Sequence, residues 1–233
     1  MPPQHPRVPD AASEDAGFKE PSTDPPAPSP AVPSGWPALA SLPVEERVRK
    51  YLVENNVEDF DLVRVRPDYY ELTLEERRNL LGAPSVDHLC KTVVMENTKH
   101  TGVNDKINSK YYMVVIQYSR KVNGERVKDL IKQLNAERGL KLGNKKLNFN
   151  FCKDSEQLTG FVYNAITPFA STTAIPVIVD SPILSLDPPF IWLGGGEVDL
   201  KLRVTLSDIN RVFEPHVGPV CFESGCDKQE NTP

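Results

Sequence analysis

Two runs decide the fold: CKTVVMEN (90–97) and YYMVVIQY (111–118). In the first, KTVVME is short, β-branched and apolar, which predicts a strand. The second is almost continuously apolar, as a strand covered on both faces near the middle of a sheet should be. Val127, Leu130, Ile131 and Leu134 follow at helical spacing over 124–138, and Gly139 stops that helix. Strand, strand and amphipathic helix thus form the centre of one unit.

Working outward, each flank adds elements of the same kind. Upstream, FDLVRVR (60–66) alternates as a half-buried strand does. Thr73-Leu-Glu-Glu76 is a capping box for a short helix that ends at Gly82. A helix over 42–55 carries Val44, Val48, Tyr51 and Leu52 on one side, with Ser41 as its cap and Pro43 in its first turn. Glu45 with Arg49 and Glu46 with Lys50 make favourable pairs four apart. Downstream, Leu147, Phe149 and Phe151 alternate, Ser155 can cap a helical turn, and AIPVIVD (174–180) is another strand. FIWL (190–193), the turn GGGE and VDLKLRVT (198–205) predict a β-hairpin, with LSDINRVF (206–213) as a last helix. There is no internal repeat. Clustered strands with interspersed helices predict an α/β, mixed α+β domain around one mixed sheet.

Composition sets the limits of that domain. Twelve of the 22 prolines fall in the first 43 of 233 residues, so 1–40 reads as a disordered Pro-rich tail, 41–216 as the folded domain and 217–233 as a flexible tail. No apolar run reaches the roughly 18 residues a membrane helix needs, and the N-terminus has neither a signal-peptide core nor a transit-peptide composition. The expected location is the cytoplasm, with Cys90, Cys152, Cys221 and Cys226 as reduced thiols. The net charge of −5 conceals a basic stretch: residues 99–146 hold 12 Lys/Arg against 4 Asp/Glu. Such a local excess attracts phosphates, or else forms a solvated face.

Few residues suggest chemistry. Lys91 heads an apolar strand face with Val93 and Met95, so its ammonium either snorkels at a rim or sits in a pocket beside an anion or a polarised carbonyl. GFVYNAITPF (160–169) is either a shaped loop presenting backbone N–H groups to an oxygen or a plain connection. Gly194-Gly195-Gly196 leads into a strand, which excludes a phosphate loop and favours a tight turn at a cleft. Asp180 before Ser181-Pro182 suits a turn. There is no metal motif, dinucleotide fingerprint or catalytic triad.

Taken in order, CKTVVMEN, LTGFVYNAITPF, IPVIVD and WLGGGEVDLKL resemble the YbaK/prolyl-tRNA synthetase-associated editing domain family, over about residues 41–216. The resemblance implies a single domain with a strongly curved mixed central sheet flanked by helices. It implies a free-standing, trans-acting aminoacyl-tRNA deacylase that hydrolyses the ester of mischarged tRNA, with tRNA for proline as the expected substrate. Lys91 matches the family's functional lysine. The G-x-x-x-P loop maps to Asn164, Ala165 and on to Pro168, with Asn164 in place of the glycine. Asp180 matches a strand-terminal acid, and Gly194, Gly195 and Gly196 match the glycine turn near the pocket. The implied catalysis is substrate-assisted and uses no metal or cofactor, since an activated ester needs mainly positioning and charge stabilisation. Partners would be the acceptor end of tRNA and an aminoacyl-tRNA synthetase. Lys110, Arg120, Lys121, Lys128 and Lys132 are the tRNA-binding candidates. The alternatives are a non-catalytic tRNA-binding or synthetase-associated module of the same fold, and an adaptor working through the Pro-rich tail.

Overall fold

The computed structural model describes residues 42–101 and 104–223. The Pro-rich tail and Ser41 lie outside them, as do 224–233.

The chain runs α1 (Val44–Glu54), β1 (Phe60–Arg64), α2 (Leu74–Leu81), β2 (Cys90–Asn97), β3 (Tyr111–Gln117), α3 (Gly124–Glu137), β4 (Phe149–Phe151), α4 (Ser155–Thr159), β5 (Val177–Asp180), β6 (Phe190–Gly194), β7 (Leu200–Thr205), α5 (Leu206–Phe213) and β8 (His216–Gly218). The mixed α/β architecture expected from the pattern is present. Its strands divide into two sheets, not one. A five-stranded mixed sheet has the order β4-β2-β3-β5-β8, and a three-stranded antiparallel sheet has the order β1-β7-β6. An isolated parallel bridge pairs Leu89, just before β2, with Trp192 of β6.

Strand β3 is central and buried on both faces, as its unbroken apolar run requires. Its odd residues Met113 and Val115 join the main core with Val94, Val179, Leu193 and Leu202. Its even residues Tyr112, Val114 and Ile116 meet Val127, Leu130 and Ile131 of α3 on the opposite face. Each aliphatic side chain so buried contributes about 1.5–3 kcal/mol, which holds α3 to the sheet.

Helix α2 has the predicted capping box, with Thr73 and Glu76 satisfying each other's backbone N–H and Gly82 at φ 62 closing the end. In α1 the Glu45–Arg49 pair forms at 3.4 Å, while Lys50 turns to Glu54 at 3.8 Å. The helix is capped by Pro43 without a side-chain bond. Phe151 is 63% exposed, so the expected alternation through β4 ends early.

The C-terminal boundary also shifts. Residues 217–223 are not a free tail: β8 adds to β5 in parallel, and Val220 and Cys221 are fully buried. Asp180 helps to hold the segment, its Oδ1 accepting the Val220 N–H at 2.9 Å, and the 121–123 segment pins the other side through Asn123 N–H to Val220 O and Phe222 N–H to Lys121 O. Among the described residues, no helix is long and apolar enough to cross a membrane.

Candidate active site

The open edge of β2 is where the site begins. Strand β4 pairs with β2 only from Met95 to Asn97. The Tyr118 N–H bonds to Leu89 O and the Asn97 N–H to Lys110 O, so the odd residues of β2 direct their backbone at β3. By alternation the even residues face outward, and Val94 O there accepts the Cys152 N–H at 2.9 Å. Thr92, next along that edge, has no strand beside it and borders a cavity of about 480 Å3. Its hydroxyl is buried without a hydrogen-bond partner. A volume of this order suits a small ligand or one end of a large one.

Lys91 lines the same cavity, with its Nζ 5.4 Å from the centroid of the Tyr118 ring. Burial lowers its pKa below the ordinary lysine value. It makes no ion pair among the described residues, and no carboxylate lines the cavity. Desolvation without a counter-ion leaves an ammonium seeking an anion or a polarised oxygen.

The opposite wall is the loop after α4. Asn164 and Ile166 reach the cavity, while Ala165 is fully buried behind them. Asn164 has φ 66, the left-handed conformation that asparagine tolerates better than most residues, and its side chain is exposed. The Ala165 N–H is engaged by Val162 O, so it is not free for a ligand, and Ala165 O accepts from Gly196 N–H. The Asn164 and Ile166 amides have no partner among the described residues. Gly194 sits against this loop, where a Cβ would stand 3.0 Å from the carbonyl oxygens of Ala165 and Ile166. Glycine is therefore needed for loop and strand to approach.

Lys91, Asn164 and Gly194 thus come together; the other sequence candidates do not. Gly195 and Gly196 pack away from the cavity, one on Leu200 and the other, at φ 97, against Val44, Val48 and Phe161. Pro168 lines a separate cavity with Tyr51, Met113 and Phe213. Asp180 is fully buried at the end of β5 and serves Val220 and Arg120. Arg120 is consumed there too, its Nε 2.9 Å from Asp180 Oδ2, and is not a surface cation. Lys110 pairs with Glu96 at 3.4 Å and Lys128 with Glu125 at 2.8 Å, while Lys132 donates to Asn144. Lys121 is exposed and also has a contact.

Three residues escaped the sequence reading. Tyr70 and Tyr118 line the cavity, and Lys201 lies behind Tyr70, 3% exposed. Burial pushes the Lys201 pKa down to about 8. In VDLKLRV its position alternates as a solvent-facing residue should, so nothing in the sequence marks it as covered.

The sequence profile of the aminoacyl-tRNA editing domain matches residues 72–212, which hold every lining residue of this cavity except Tyr70. The chain belongs to the aminoacyl-tRNA editing domain family. A crystal structure of a candidate trans-editing enzyme for prolyl-tRNA synthetase superposes with a TM-score of 0.59 at 17% identity, over 78% of this chain and 98% of that one. A scaffold protein used for computational grafting of linear epitopes superposes at 0.57, with 16% identity and coverage of 78% and 98%. A hypothetical protein of known structure gives 0.55, with 20% identity and coverage of 75% and 99%. At such identities the likeness establishes the shared fold. No curated protein sequence matches the chain.

Proposed function

We propose that this editing-domain protein is a trans-acting aminoacyl-tRNA deacylase, hydrolysing the ester between a wrong amino acid and the terminal ribose of tRNA as a proofreading step in the cytoplasm. The observation that carries the reading is Lys91: a desolvated ammonium that has no ion-pair partner among the described residues, in a cavity that none of their carboxylates lines. Family membership supplies the substrate class. The prolyl-tRNA synthetase connection of one structural relative makes tRNA for proline the first to try.

In the mechanism proposed, Lys91 holds the 3′-terminal phosphate or the ester carbonyl oxygen. The Asn164 and Ile166 amides and the Thr92 edge hold the aminoacyl group. Water attacks the carbonyl carbon, the bond to the ribose oxygen breaks, and that oxygen takes up a proton as the free amino acid leaves. A neighbouring ribose hydroxyl can orient the water. Charge stabilisation by a preorganised cation is then the largest contribution of the protein, and no cofactor is required. The acceptor end is single-stranded, so its phosphates and unstacked adenine are what a protein can grip. Lys110, Lys121, Lys128 and Lys132 are proposed as the phosphate contacts, and a synthetase as the second partner.

The test is release of amino acid from a panel of mischarged tRNAs, beginning with alanyl- and cysteinyl-tRNA for proline. Hydrolysis of at least one, above the spontaneous rate, is expected. Tight binding without hydrolysis of any would replace the enzyme with a non-catalytic tRNA-binding module.

A further inference from the structure

Lys201 is a cation in the wrong place for its sequence pattern. It projects from β7 beneath the turn at 69–71, donating to Tyr70 Oη at 3.1 Å and to Val198 O at 2.7 Å. Its Nζ is 4.7 Å and 4.6 Å from the ring centroids of Tyr69 and Tyr70. Tyr70 in turn donates to the Asn164 carbonyl at 2.6 Å. Arg77, from α2, donates to Tyr70 O at 2.6 Å and stacks on the same two rings. The chain of contacts therefore leads from a buried ammonium, through a phenol, to the left-handed residue on the wall opposite Lys91.

We propose that Lys201 and Tyr70 are a positioning pair that fixes the Asn164 carbonyl and so sets the loop facing Lys91. The proposal rests on reading that cavity as the deacylation site. An ammonium has only donors, so the phenol oxygen can do nothing but accept from it. The single phenol proton is then left to Asn164 O at 2.6 Å, with the neighbouring Tyr118 phenol as a competing acceptor. Burial keeps the phenol protonated, since it raises the Tyr70 pKa well above the usual phenol range. A neutral lysine would carry a lone pair, and the phenol proton could turn to it, releasing Asn164. The groups facing Lys201 are Arg77, which disfavours its charge, Asp199, which favours it and is itself paired with Arg64 at 3.1 Å, and the two phenols. With a Lys201 pKa of about 8, the hydrogen bond to Asn164 is unopposed by Lys201 below that pH and weakens as pH rises through it, where the amine lone pair competes for the phenol proton.

Tyr70→Phe, Lys201→Met and the double variant test this in the intact protein. Two readouts are needed: deacylation of mischarged tRNA, and hydrogen-exchange protection of the Ala165 and Gly196 amides, corrected for intrinsic exchange. Each single variant should lower both by about tenfold: Tyr70→Phe removes the donor to Asn164 O, and Lys201→Met removes the ammonium that anchors the phenol through its oxygen and both rings. The double variant should lose no more than either single, as residues acting through one hydrogen bond do. In wild type the protection should fall as pH rises through about 8, and this step should vanish in Lys201→Met. Thermal stability at pH 7 should hold in Lys201→Met, because burial already disfavours the charge that is removed. Additive losses, unchanged protection, or lost protection with full deacylation would each overturn the pair's role. If wild type hydrolyses no ester, the proposed function fails alone, and the protection data still decide the pair.

Discussion

Among the described residues, the cavity at the edge of β2 and the one behind Pro168, each of about 480 Å3, differ in how their charges are engaged. The cavity behind Pro168 is lined by Tyr51, Met113, Phe213 and charged groups that already have partners: Lys106 with Glu214 at 3.1 Å, Asp105 with Arg138 at 2.9 Å, and Arg211 with Asp208 at 2.6 Å. The cavity at the edge of β2 has an ammonium without a counter-ion, an unpartnered hydroxyl and a strand edge left open. Equal volume therefore does not mean equal chemical capacity. Unmet charge and hydrogen-bonding groups, held by an ordered shell, distinguish a place that can act on a ligand from a place that is merely concave.

The largest expected effect comes from removing the unmet charge. Lys91→Ala should cost on the order of 10²–10³ in deacylation rate, as removal of a preorganised charge does. Stability should change by no more than about 1 kcal/mol, because the side chain makes no ion pair among the described residues and borders a cavity. Lys91→Arg should be nearly as damaging, since a planar fork does not occupy the position of a point ammonium. Hydrolysis assays with circular dichroism as the folding control decide the matter. A Lys91→Ala protein retaining more than half the wild-type rate would make Lys91 a rim lysine and erase the contrast between the cavities.

A smaller loss is expected at the far wall. In Gly194→Ala the new Cβ meets the Ala165 and Ile166 carbonyl oxygens at 3.0 Å, and both belong to backbone that cannot rotate aside. The loop must retreat, at about 1–3 kcal/mol for overpacking. Displacing one wall of a preorganised site should lower the rate about tenfold. Thermal melting and kcat/KM, measured together, show whether loop and strand separate as expected. An unchanged rate would mean that the loop does not contact the ester.

How far the sequence carried this comparison depends on the period of each element. Strand β3 and helix α3 were legible because every face is strongly patterned, and the capping box at Thr73 was legible because its chemistry is local. The division into two sheets was not, because it depends on which distant strands pair, and the hairpin of β6 and β7 pairs with β1 instead of extending the sheet of β2 and β3. Lys91 stood out as a cation in an apolar strand. Lys201 did not, since alternation assigns it to solvent while Tyr69 and Tyr70, 131 residues or more away in the chain, help to cover it. Asp180 and Arg120 were misplaced for a related reason: each looks like a surface group in sequence, and the C-terminal segment that buries them lies 40 or more residues further on.

The basic stretch offers a graded test. Lys128 and Lys132 lie on α3, which packs on the face of the five-stranded sheet shared by Lys91, Val93 and Met95. Replacing both with Ala should weaken tRNA binding uniformly across sequences. It should also reduce the slope of log affinity against log salt by about 0.7–0.9 for each phosphate left without its lysine. Titrations with uncharged tRNA at several salt concentrations measure this. An unchanged slope would assign these lysines to a solvated face held by Glu125 and Asn144 alone.

The smallest effect is expected in the second cavity, and its smallness is what makes it informative. Glu214 caps α5 in the left-handed conformation, its N–H bonded to Asn210 O, and its carboxylate reaches Lys106 across the cavity mouth. Glu214→Gln keeps the length of the side chain and the backbone cap while removing the charge. The Glu214 side chain is 82% exposed, so breaking the pair should cost less than about 1 kcal/mol. Deacylation should stay within about twofold of wild type, because this cavity shares no lining residue with the one at β2 and meets the Asn164 loop at its far end, Pro168. The variant also frees one cation at the second cavity, giving it the kind of unmet charge that marks the first. If that change lowered deacylation tenfold, or created a new binding site for the acceptor end of tRNA, the two cavities would be parts of one surface, and the ion pair at Glu214 would be what keeps the second one silent.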